Sequence, residues 1–116
     1  MTQTRSMLMR IYTDEAAMHG DEEAVHVVVG RARQAGLAGA TVLRGRLGFA
    51  AGSAVHRHYS LGIGDNPPMV IELVDHEDRL REFVPQLADM HGIGLITLEA
   101  VEILFAADHS RKREPE

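Results

Sequence analysis

Four groups of residues in this sequence have types and spacing that could do chemistry. Arg44 and Arg46 stand two apart, directly after the β-branched, apolar Thr41-Val42-Leu43. If that stretch is a strand, alternation places both guanidinium groups on one face, where they would suit phosphate. The same pair would also serve as a solvated strand end or an intersubunit salt bridge. Gly92-Ile93-Gly94 could offer backbone N–H groups to an anion, as a nest does. It could equally be a plain helix stop. His56-Arg57-His58 sets two imidazoles at i, i+2, able to bind a divalent metal or to respond to pH between about 5 and 8. Two imidazoles need a third ligand, from Asp65 or a neighbouring subunit, and His56 and His58 are otherwise exposed loop residues. Glu72 lies within the apolar run Met69 to Val74. It is either a carboxylate of raised pKa in a cleft or one that points out from a sheet to a basic neighbour.

Much other chemistry is missing. The chain has no cysteine, which excludes disulfides, thiolate catalysis and Cys-ligated zinc and fits a cytoplasmic protein. Glu99 and Glu102 fall on opposite faces of an alternating strand, so they are not a catalytic carboxylate pair. Ser53 and Ser60 have no nucleophile elbow, and no Walker or dinucleotide glycine motif occurs. No acid–base or nucleophile set is present, so an enzyme is not expected. A formal charge of −5 argues against nucleic-acid binding, which needs a positive face. It does not oppose one local anion site.

The elements that must position these groups follow from periodicity. Met7 to Thr13 alternates as a strand, with Met7, Met9 and Ile11 on one side and Leu8, Arg10 and Tyr12 on the other. Glu22 to Ala35 is rich in valine, yet Ala24, Val27, Val28, Arg31, Ala32 and Ala35 share one helical face. Asp21 is the expected N-cap, and Gly36 stands where a left-handed C′ residue belongs. Ala38 to Leu47 reads as the second strand. A loop follows from Gly48 to Asn66, too long for a plain connection in a small chain. Met69 to Val74 is the third strand. Asp75 to His91 reads as a helix capped by Asp75, with Pro85 inside it against the usual rule. Leu95 to Phe105 alternates as the fourth strand.

The order β-α-β-β-α-β predicts an α+β, ferredoxin-like domain over residues 1–106: one four-stranded antiparallel sheet with two helices on one face. Residues 107–116 would form a charged flexible tail. The 116 residues are 45% hydrophobic, which suits one globular domain. With two tyrosines, three phenylalanines and no tryptophan, the core must be mostly aliphatic. No signal peptide or membrane span is expected. The second sheet face would stay bare and carry apolar residues such as Leu8 and Tyr12, which predicts its burial by another subunit.

In this order, the strings RIYTDE from Arg10, AGLAGATVLRGRLGF from Ala35, PPMVIELVD from Pro67 and GLITLEAVEIL from Gly94 resemble the PII-like signalling proteins. Within them the match is to the domain of unknown function 190 family, from about Arg10 to Leu104. The resemblance implies a homotrimer whose sheets line a central barrel and whose lateral clefts bind a small effector. In PII proteins that effector is an adenine nucleotide, and the long loop engages a partner, here residues 48–66 with a membrane transporter or channel. By position, Thr41 matches the cleft threonine, Gly48 and Phe49 the loop base, Val74 the strand end beside the adenine, and Gly92 and Gly94 the phosphate-loop glycines. The sequence departs from PII at Leu95, where that loop has lysine. It departs again between Val101 and Phe105, where apolar or acidic residues replace two arginines. A diphosphate, a monophosphate, a cyclic nucleotide or another anion is thus an equal expectation. A divalent-metal-binding trimer of the cation-tolerance type is the alternative, and it requires His56 or His58 as ligand.

Overall fold

The computed structural model describes residues 5–50 and 66–107. Strand β1 (Ser6–Asp14) is followed by two short strands, β2 (Met18–His19) and β3 (Glu22–Glu23). Helix α1 (Ala24–Gln34), strand β4 (Gly39–Arg44), strand β5 (Pro68–His76), helix α2 (Glu77–Phe83) and strand β6 (Leu95–Ala100) complete the order. The main sheet has four antiparallel strands in the order β4-β5-β1-β6. The result is an α+β fold with two helices, consistent with a ferredoxin-like arrangement.

Alternation divides the two central strands cleanly. Met7, Met9 and Ile11 of β1 face the core with Met69, Ile71 and Leu73 of β5. Val25, Val28, Leu80 and Phe83 of the helices close over them. Burial of each such side chain stabilises by about 1.5–3 kcal/mol. Leu8, Arg10 and Tyr12, with Val70, Glu72 and Val74, lie half-buried on the opposite face. Leu43 and Leu95 extend that face as exposed apolar residues, 47% and 49% accessible.

The helix ends are only partly as the sequence suggests. Gly36 does take the left-handed C′ position, with φ 77°. Its N–H reaches Arg33 O, and Leu37 N–H reaches Ala32 O, which completes a Schellman turn. At the other end Asp21 does not cap α1. Glu22 and Glu23 form β3, Glu23 is the N-cap, and it makes no side-chain capping bond. The expected helix over 75–91 is also divided. Asp75 belongs to β5, α2 stops at Phe83, and a 3-10 turn runs over Val84–Leu87. Pro85 has no N–H to continue the α-helical ladder, and its ring crowds the carbonyl four residues back.

Buried Asp75 has a different task. Its Oδ2 accepts from Ala38 N–H at 2.9 Å and its Oδ1 from His76 N–H at 2.6 Å. Arg79 donates to Ala35 O at 2.7 Å. The contacts to Ala38 and Ala35 pin the connection from α1 into β4. Strand β6 ends at Ala100, not Phe105. Beyond it Leu104 and Phe105 are 87% and 85% exposed.

Candidate functional site

The register of the sheet places the expected site residues that lie on strands. Thr41 lies exposed on β4, opposite Glu72 on the open face. Val74 lies opposite Leu8 on one side and Gly39 on the other. A Cβ on Gly39 would sit 4.0 Å from the Val74 Cβ, so the bare glycine leaves this corner of the face open. Beside that corner is a groove of about 750 Å³, lined by Leu8, Gly39, Glu72, Val74 and the segment from Val101 to Ala107.

Arg44 and Arg46 do not share a strand face. β4 ends at Arg44, so the alternation that would pair them stops there. Arg44 lies opposite Met69, on the helix side, and its Nη2 contacts Glu15 Oε1 at 3.3 Å. Gly45 N–H then closes on Pro68 O at 2.7 Å, and Arg46 sits exposed in a bend. Gly48 and Phe49 are exposed at the start of the long loop, Phe49 at 92%.

Gly92 has φ 91°, which only glycine adopts readily. A Cβ there would meet the Ala17 Cβ at 2.9 Å. Its carbonyl accepts from the buried Thr13 hydroxyl at 2.8 Å. Gly94 N–H donates to Tyr12 O at 2.9 Å, so an anion at this loop would be met by other groups. Nearby, Asp14 is buried, and its Oδ1 has no hydrogen-bond partner among the described residues.

These residues fall into separated groups. Val74 and Gly39 sit at the Leu8 level of β1, and Gly94 at the Tyr12 level. Four strand residues span about 13 Å. Thr41 and Arg44 occupy one sheet edge, β4, while Gly92 and Gly94 introduce the other, β6. One chain does not bring the set together.

Two polar clusters escape sequence reasoning. On the open face Arg10 lies between carboxylates of both neighbouring strands. Its Nε donates to Glu72 Oε2 at 3.2 Å and its Nη1 to Glu99. The Glu99 bond first, and then the Glu72 bond, raises the guanidinium pKa above its ordinary value. Glu72 thus points out from the sheet to a basic neighbour. On the helix side Arg31, on the supposed apolar stripe of α1, reaches Asp89 at 2.9 and 3.3 Å and Gln86 O at 2.6 Å. The hydrogen bond from Arg31 holds the Asp89 carboxyl below the usual range. His19 Nε2 lies 3.3 Å from Arg31 Nη2 and 3.6 Å from Asp89 Oδ2. Neither cluster has a local motif. Glu72 within its apolar run and Arg10 within an apolar alternation each stand out in the sequence, and only the fold pairs them.

His56 and His58 lie outside the described residues, as do all of 51–65 and 108–116. Among the described residues no three His, Asp or Glu side chains are grouped to hold a metal. No described helix is long and apolar enough to cross a membrane.

The four-stranded antiparallel sheet and its two helices define an α+β domain consistent with a ferredoxin-like fold. The family model of domain of unknown function 190, described as an uncharacterized ACR, matches residues 6–103, and the chain belongs to that family. Two relatives are UPF0166 proteins of Aquifex aeolicus (strain VF5). One is 30% identical over 105 residues, covering 90% of this chain and 99% of the relative. The other is 28% identical over 99 residues, covering 85% and 97%.

Proposed function

We propose that the chain is a regulatory protein of the ferredoxin-like PII type. It assembles as a homotrimer, binds a small effector between subunits, and transmits the occupied state to a partner protein. The observation that carries this reading is the division of the site residues between two ends and two edges of one sheet. A cleft that used both halves would need a second chain. Bringing the β4 edge of one copy toward the β6 edge of the next is a head-to-tail contact, and such contacts close into rings when the rotation allows. The half-apolar open face, with Leu43 and Leu95 exposed at its margins, supports burial by neighbouring copies.

An adenine nucleotide is the effector class that the family likeness favours. In this reading Val74, Thr41, Arg44 and Arg46 contribute one half-site, and Gly92 and Gly94 the other. Gly48 and Phe49 anchor segment 48–66, which contacts a membrane transporter or channel. Sedimentation equilibrium of the full chain, with calorimetric titration of adenine nucleotides, tests the reading. The expected result is a threefold mass and saturable binding with one effector per subunit. A monomer that binds none of them would sink it.

A further inference from the structure

We infer that the groove at the Val74 end of the open face takes a nucleoside bearing at most one phosphate and disfavours polyphosphates. This rests on the reading of that groove as half of an effector site. Its volume, about 750 Å³, lies within the range of small-molecule pockets. The lining is mostly apolar, with Leu8, Val74, Ile103 and Phe105, and Gly39 adds no side chain to it. Such a lining suits a flat base.

The charged groups of the groove are carboxylates. Glu72 and Glu102 line it, and no arginine, lysine or histidine does so among the described residues. The nearby Arg10 cation is matched twice, by Glu72 and by Glu99. That triad therefore carries a net negative charge, to which Glu102 adds. Carboxylates accept from hydroxyl and amino donors, the groups that a ribose and an exocyclic amine present. They repel phosphate, and the repulsion grows with each added charge. Of the two cations assigned to the effector site, Arg44 is already paired with Glu15 at 3.3 Å, and only Arg46 remains. That leaves little to match a di- or triphosphate.

Calorimetric titration of the full chain with adenosine, AMP, ADP and ATP, without divalent cations and at fixed ionic strength, tests the inference. AMP or adenosine should bind tightest, with ATP at least about tenfold weaker than AMP. Glu102→Lys, at an exposed position, should keep the melting temperature and shift the AMP-to-ATP ratio about tenfold toward ATP. Tightest binding of ATP by the unaltered chain overturns the inference and leaves the effector site standing. An unchanged ratio in E102K overturns it as well, because binding is then elsewhere. Failure of all four ligands removes the effector site itself, and the inference with it.

Discussion

The Thr13 hydroxyl donates a 2.8 Å hydrogen bond to the carbonyl of Gly92, tying central strand β1 to the glycine loop that opens β6. Thr13 is 4% exposed, so water does not readily replace the bond. Thr13→Val keeps the shape and strands the carbonyl. It should destabilise the chain by about 1–3 kcal/mol, read as a lower urea midpoint at unchanged slope. Thr13→Ser should recover most of the loss. A neutral T13V would show that this bond contributes nothing to stability.

Gly92 carries two separable constraints, φ 91° and the 2.9 Å approach a Cβ would make to Ala17. Gly92→Ala should destabilise by about 1–3 kcal/mol. Adding Ala17→Gly removes the clash but not the backbone strain. The double variant should therefore recover only part of the loss, as a double-mutant cycle by chemical denaturation would measure.

Phe83 is 1% exposed and is the last residue of α2 before the Pro85 turn. Phe83→Ala leaves a cavity between the helices and the sheet and should destabilise by about 3–5 kcal/mol. Phe83→Leu should lose much less. Thermal unfolding of the two variants separates these outcomes.

The Arg31–Asp89 contact predicts a dependence on acid. Folding lowers the Asp89 pKa, chiefly through the Arg31 hydrogen bond. The unfolded chain therefore binds the proton more readily. The contribution is fully present above the ordinary carboxylate pKa and is lost as pH falls through and below about 4. Asp89→Asn should flatten the acid limb of stability between about pH 5 and pH 2 and leave the slope above pH 6 unchanged. Urea midpoints measured across that range would reveal an unaltered limb if the pair were inert.

The β1 core residues, the end of α1 at Gly36 and the apolar part of the open face were legible in the sequence. Each depends on what adjacent residues impose: period-two alternation, a left-handed glycine, helical spacing. Such effects act within a few residues, so the order of residue types states them. The end of α2 was half legible, because Pro85 announced a break that the apolar spacing hid.

Other features are decided by strands far apart in the chain. Arg10 meets Glu72 and Glu99 across 62 and 89 residues. Asp75 reads as a helix cap by position but serves the Ala38 amide, because β5 runs two residues further than its apolar run implies. Arg44 and Arg46 part company because β4 ends between them. Sequence alone selected the residue types for a split α+β sheet and a family likeness. Pairing register in the folded sheet decided that the site residues lie at two ends and two edges. Register is set when strands pack and bond together, and no short stretch of chain contains it.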